Sequence, residues 1–175
     1  MKTVVNFSRF KNKIISKLIT RFPSLAKGFI ESYRPWETEG IPWTPVTKPL
    51  EGCKIAVVTT AGVHHRDQKP FDMEDQNGDP TFREIDITRP MRDLMITHDY
   101  YDHGDADRDI NIVFPIERLG ELEREKIIGH LAGTHYGFMG HIDKAHILTL
   151  ISDSAPEVAK RLKADRVDMV LLVPG

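Results

Sequence analysis

Apolar residues recur at helical spacing near the amino terminus, where Phe7, Phe10, Ile14, Leu18 and Phe22 are interleaved with Lys11, Lys13, Lys17 and Arg21. This pattern predicts a basic amphipathic helix. Its expected placement packs the apolar stripe on the chain's own domain and leaves the cations in water, although a helix of this character also suits an anionic membrane or a partner surface. Pro23 is expected to break it, because proline has no N–H to continue the ladder. A second short helix from Leu25 to Ile30 then carries the chain to Tyr33. From Pro35 to Pro49 the prolines, with Trp36 and Trp43, predict an extended connector clamped to the domain surface by its aromatics. Residues 1–50 read as a helical arm and connector, and residues 51–175 as one domain.

The domain opens with Ile55-Ala56-Val57-Val58-Thr59-Thr60, a β-branched run closed by Ala61-Gly62, as expected of a buried strand entering a loop. Two further strands are predicted at Leu94 to Thr97 and Ile110 to Phe114. A helix is predicted from Ile116 to Ile128, ended by Gly129. Another lies near Ala145 to Ile151. Ser154-Ala155-Pro156-Glu157 has capping-box spacing, which predicts a fresh helix to about Lys163 before Met169 to Val173 forms a buried strand. The alternation defines an α/β fold with a mostly parallel sheet flanked by helices, preceded by the amphipathic arm.

A chain of 175 residues is long enough to bury a core without disulfides. Its net charge of -2 offers no bulk attraction for nucleic acid. One cysteine, Cys53, excludes an intrachain disulfide and fits a reducing compartment, so the cytoplasm is the expected location. No apolar run has the length of a membrane span.

Ligands of open parallel sheets gather beyond the carboxyl ends of the strands, which directs attention to three loops. The first runs from Ala61 to Glu84 and is acidic and turn-rich. Its Asp75-Gln76-Asn77-Gly78-Asp79 segment lacks the glycine position and the glutamate of a calcium loop. The second, His98 to Asp109, holds two histidines and five aspartates. Such a set could hold zinc or iron, but no metal-ligand spacing is present, and an ion-pair network around Arg108 is the expected arrangement, leaving His98 or His103 to approach a substrate. The third, Gly129 to His141, mixes glycine, histidine and aromatic residues, and a lone histidine there is expected to be structural. Cys53 precedes its strand and so falls at the wrong end of the sheet, where a buried, unreactive thiol is expected. No nucleophile elbow, phosphate loop or dinucleotide fingerprint occurs.

Several strings in these loops carry a resemblance. Thr59-Thr60-Ala61-Gly62-Val63-His64, Pro70-Phe71-Asp72-Met73, Gly78-Asp79-Pro80 and Phe82-Arg83-Glu84-Ile85 closely resemble the B-type selenoproteins of the glycine/betaine/sarcosine/D-proline reductase family. So do His98-Asp99-Tyr100-Tyr101-Asp102, Asp105 to Asn111, Phe138-Met139-Gly140-His141 and Ala155 to Ala159, in the family's order, across about Ile19 to Gly175. The resemblance implies an oxidoreductase subunit acting in reductive C–N cleavage of a small amino acid or amine. A pyruvoyl group on a partner subunit condenses with the amine, and a selenolate or thiolate attacks the α-carbon. The oxidised nucleophile is then reduced by a thioredoxin-like or other dithiol donor.

In the resemblance this nucleophile follows the last strand. The expectation is therefore a selenocysteine or cysteine beyond Gly175, a UGA codon read as a stop, and a 175-residue chain that is inactive alone and holds no cofactor of its own. The same resemblance suggests His64 and His98 as proton donors or selenolate stabilisers, and Arg83 for a substrate carboxylate. Asp72, Asp75, Asp102, His103 and His141 complete the pocket. Two rival readings stand beside it: a metal-dependent hydrolase built on His98, Asp102, His103 and Asp107, and a non-catalytic subunit whose basic helix binds a partner.

Overall fold

A computed structural model describes residues 7–22, 24, 27, 31, 40 and 44–175. Apart from Lys27, the helix predicted from Leu25 to Ile30 lies outside the described residues, as do Trp36 and Trp43 of the connector.

The sheet is built around β1 (Lys54–Thr59), whose alternate residues are buried on both faces. On one side β1 pairs in parallel with β7 (Met169–Val173), from Ile55 opposite Met169 to Thr59 opposite Val173. On the other it meets two short parallel strands in turn, β5 (His130–Leu131) at its start and β6 (Thr134–Gly137) at its end. β3 (Arg83–Asp86) closes that edge antiparallel to β6. The sheet is therefore mixed, and the expectation of a mostly parallel sheet holds for its centre but not for its β3 edge. A separate antiparallel pair, β2 (Val63–His65) with β4 (Leu94–Ile96), lies against the face that carries Val57.

Side-chain alternation along β1 assigns the layers. Val57 packs with Val63, Ile85, Ile96 and Phe114 beneath the small sheet, and Ile55 packs with Cys53, Ile128 and the inner residues of α2 (Ile116–Arg124). Ala56 and Val58 face the other way, against Val158 and Leu162 of a helix before β7. That helix is one rod where two were expected. α3 (Ala145–Thr149) continues through a π-helical stretch, Leu150–Ser154, into α4 (Ala155–Ala164). Ser154 is itself helical and makes no side-chain cap, so the capping-box reading is corrected. A π stretch admits one extra residue into the ladder without breaking it, and Pro156, which has no N–H to donate, follows it directly at the start of α4.

Three other expectations change. Ile110 to Phe114 is not a strand: Ile110–Ile112 is a 3₁₀ turn, started by Asp109 accepting the Asn111 N–H at 3.0 Å, and it drops Val113 and Phe114 into the core. α2 ends at Arg124, and the left-handed residue that turns the chain is Lys126 at φ 60°, not Gly129. Gly129 serves a close approach instead, since a Cβ there would overlap the Cys53 carbonyl. β7 is an edge strand and only half buried; Leu172 is 72% exposed.

The arm's helix, α1 (Phe7–Arg21), docks on the segment after β4. Its orientation reverses the expected one. Arg9, Lys13 and the buried Ser16 face the body, whereas Phe10, Ile14, Leu18 and Phe22 are exposed.

Candidate functional site

The carboxyl ends of β1, β6 and β7 meet in one rim. Phe138 N–H donates to Thr59 O at 2.8 Å, Thr60 N–H to Val173 O at 3.0 Å, and Gly62 N–H to Phe138 O at 2.8 Å. β4 leaves the small sheet at the same place, where Thr97 N–H donates to Gly62 O at 2.9 Å. The chain then delivers His98 to the rim. Gly175 reaches it as well, with its N–H on Thr60 Oγ1 at 3.2 Å.

His98 is buried, with Tyr101 edge-on at 4.8 Å between ring centroids and Tyr100 at 6.0 Å. Tyr101 is fixed by donating its hydroxyl to Ala61 O at 3.1 Å, and burial pushes that hydroxyl's pKa upward. Both His98 nitrogens face backbone N–H groups, Tyr100 N at Nδ1 and Gly140 N at Nε2, each at 3.2 Å. A neutral imidazole has one acceptor nitrogen and an imidazolium has none, so this setting opposes protonation. Burial acts in the same direction, followed by the charges of His141 and His103, and lowers the His98 pKa to about 4. His98 at neutral pH is a neutral ring, with both nitrogens turned to backbone amides. His141 stands beside it, stacked on Tyr100 at 4.1 Å and held through Nε2 to Gln76 O at 2.8 Å.

The other sequence-selected residues are placed as follows. His64 lies in β2 rather than on a loop and is buried; Nδ1 donates to His65 O at 2.7 Å and Nε2 takes Thr97 Oγ1–H at 2.8 Å, which ties β2 to the end of β4. Arg83 opens β3. Its guanidinium donates to the carbonyls of Lys69, Pro70 and Phe82, to Thr81 Oγ1 and to Asp79 Oδ2 while resting 4.4 Å from the Phe71 ring centre. Those bonds use all five of its donors. Asp72 Oδ1 accepts the amides of Glu74 and Asp75, and Asp75 divides its oxygens between Asn77 and His146 Nε2, the latter at 2.8 Å. Asp102 accepts Gly104 N–H at 3.2 Å, and His103 Nδ1 meets Asp107 at 2.8 Å.

The structure brings His98 and His141 together at the rim, while His64 ties β2 to the end of β4 and Arg83, opposite Gly137 at the end of β6, holds the first loop. His103 and Asp102 line a separate hollow of about 220 Å³ against Lys13 and Lys17 of α1. Among the described residues no three His, Cys, Asp or Glu side chains converge as a metal-ligand set, so His98, Asp102, His103 and Asp107 do not form the one proposed for a hydrolase. Arg108 pairs with Asp105 at 2.6 Å, both exposed, rather than anchoring a network. Cys53 is buried at the opposite end of the sheet, with Sγ 3.4 Å from Pro49 O.

Two parts of the site were not read from sequence. The first is the pair of tyrosines that frames His98, for which the Tyr100-Tyr101 doublet was the available signal. The second is Asp99, whose buried carboxylate meets Arg9 at 2.5 Å and Lys13 at 3.4 Å. Burial raises this carboxyl, but the Arg9 hydrogen bond and the two positive charges outweigh it, and the net shift is below the ordinary carboxylate value. Four-residue spacing of Arg9 and Lys13 was the signal for a shared acidic partner.

An α/β domain with a neutral histidine and two tyrosines gathered on the carboxyl rim of its central strands is the class that the geometry defines. Comparison with known families makes it particular: residues 10–174 match the model for glycine/sarcosine/betaine reductase selenoprotein B, and the chain belongs to that family. It is 41% identical over 133 residues to D-proline reductase subunit gamma of Acetoanaerobium sticklandii, covering 76% of this chain and 53% of that protein. It is 30% identical over 96 residues to sarcosine reductase complex component B subunit beta of Peptoclostridium acidaminophilum, covering 53% and 22%. Glycine reductase complex component B subunit gamma of Symbiobacterium thermophilum is 29% identical over 140 residues, covering 75% and 30%. The match thus spans about half of the D-proline reductase subunit and less of the other two. No solved structure matches at a significant level. Among the described residues no helix is long and apolar enough to cross a membrane.

Proposed function

We propose that this chain forms the rim and supporting sheet of a reductase-complex subunit that cleaves a C–N bond of glycine, sarcosine, betaine, D-proline or a related amine reductively. Family membership carries the reading, and the gathering of His98, Tyr100 and Tyr101 at the rim supports it. The partner subunit's pyruvoyl group would supply a carbonyl for the substrate amine, and a thioredoxin-like or other dithiol donor would return two electrons. Cys53 does not fit the role of nucleophile, because it is buried at the far end of the sheet. A selenocysteine or cysteine following β7 does fit, since Gly175 lies against Thr60 and Ala61 on the rim that holds His98.

In this reading His98 is the residue next to the chemistry. A ring kept neutral would place no positive charge beside the nucleophile and would hold the Tyr100 and Gly140 backbones that shape the rim. His64 and Arg83 act by holding the strands and the first loop in place.

The test is intact-mass and selenium analysis of the polypeptide from its native host grown with selenium, with dithiol-dependent reductase activity followed on the four substrates. A product that carries selenocysteine or cysteine after Gly175 and reduces one of them is expected. A mass ending at Gly175, in a complex without reductase activity, would overturn the proposal.

A further inference from the structure

α1 is held by the side that its patterning would leave in water. Arg9 and Lys13 reach the buried Asp99, and Ser16 on the same side is buried. Phe10, Ile14, Leu18 and Phe22, spaced four residues apart, form a continuous ridge on the opposite side and remain 54%, 44%, 45% and 52% exposed. A helix of 15 residues gains little stability by itself, and among the described residues nothing covers this ridge.

The cations on that side indicate what covers it. Lys11 stands three residues before Ile14 and seven before Leu18, which places it within the ridge. Arg21 follows Leu18 by three residues, and both cations are exposed. A helix that lies on a membrane keeps its charges on the polar face, at headgroup level, while the apolar face sinks into the acyl boundary. In α1 the polar face is turned to the domain, and sinking the ridge would take Lys11 with it. An apolar trough with carboxylates along its rim accommodates both kinds of side chain, with anchors at four-residue intervals in the manner of helix-in-groove recognition.

We infer that the outward face of α1 is a docking surface for another subunit of the reductase complex, one that offers an apolar trough edged by Asp or Glu. The inference rests on the proposed place of this chain in such a complex, in keeping with the naming of its relatives as subunits. It adds that Asp99 joins this interface to the site: the carboxylate that anchors α1 immediately follows His98 in the chain.

The experiment places p-benzoylphenylalanine at position 18 of the chain within the co-expressed, purified complex and maps the photo-cross-links. One subunit other than this chain should be labelled, at a peptide containing Asp or Glu. The Lys11→Glu, Arg21→Glu double variant should bind that subunit about tenfold more weakly while its circular dichroism is unchanged. Cross-links confined to residues 23–43 of the same chain, or to a second copy, would overturn the inference, as would binding only to phosphatidylglycerol-containing vesicles. If no other subunit purifies with the chain, the complex assignment fails too. If the complex assembles and the double variant binds it as tightly as the parent, this inference alone fails.

Discussion

Between Lys69 and Asp86 most hydrogen bonds of the charged side chains stay within the segment: Asp72 and Asp75 take turn amides, Asp79 takes the Thr81 hydroxyl and amide, and Arg83 gathers three carbonyls, while Asp75 and Glu84 also reach His146 and Arg161. Between His98 and Asp109 the composition is similar, but Asp99 binds a different element and Arg108 and Asp105 point into solvent. What separates the two is where the hydrogen-bonding capacity goes. A loop that satisfies its own donors becomes scaffold, whereas one that leaves groups directed outward can meet a ligand or partner. Residue content does not distinguish these cases.

The sharpest way to break the contrast is Arg83→Ala. It removes five hydrogen bonds and leaves Asp79, a carboxylate with 9% of its side chain exposed, without its counter-ion. Burial raises the Asp79 carboxyl, and the Thr81 and Asp72 hydrogen bonds with the Arg83 charge bring it below the ordinary value. A loss of roughly 3–5 kcal/mol in urea unfolding is expected; a loss within 0.5 kcal/mol, the range of an ordinary surface substitution, would show that the loop is not braced by this residue.

His98 comes next. Its pKa is near 6.5 unfolded and about 4 folded, so between these values the unfolded chain binds the extra proton. The stability of the neutral ring is fully present above pH 6.5 and is lost as pH falls toward 4, by roughly 3 kcal/mol. Stability measured from pH 7 to 4 should fall less steeply in His98→Gln, and an unchanged slope would mean that the ring titrates normally.

Asp99→Asn should cost about 1–2 kcal/mol, since its partners Arg9 and Lys13 are partly solvated. The expected sign is faster tryptic cleavage within α1 with the sheet intact, and parent-like cleavage rates would argue against the ionic latch. Arg108→Ala is the control at the small end. Its pair with Asp105 is 81% and 82% exposed, and unfolding should shift by less than about 0.5 kcal/mol.

β1 and β7 were legible because β-branched and aliphatic runs of strand length have few other uses, and α4 because Val158 and Leu162 keep helical spacing. β5 and β6 were hidden by Ala132-Gly133 between them and by polar residues whose place in a sheet comes from neighbours rather than propensity. Ile110 to Phe114 misled for the converse reason: five residues of mostly apolar character fit a strand and a buried turn equally well. Helical periodicity identified α1 correctly and gave its packing face wrongly, because it registers where the apolar residues lie but not that Asp99 would be waiting for the cations. His98 was found by its acidic company, while its neutrality comes from burial in a setting where both nitrogens face backbone amides, one of them from Gly140, far along the chain.

His135 has a consequence for the central strand. Its Nδ1 accepts the Val57 N–H at 2.8 Å, in the interval between the two stretches of β1 that pair with β5 and β6. Nε2 is buried and finds no hydrogen-bond partner among the described residues, and burial brings the ring's pKa to about 4. One rung of the ladder thus ends on a titratable nitrogen instead of a carbonyl. Deuterium uptake at the Val57 amide should then carry a proton dependence that its strand neighbours lack, and a single backbone position becomes a built-in reporter of side-chain ionisation deep in the protein.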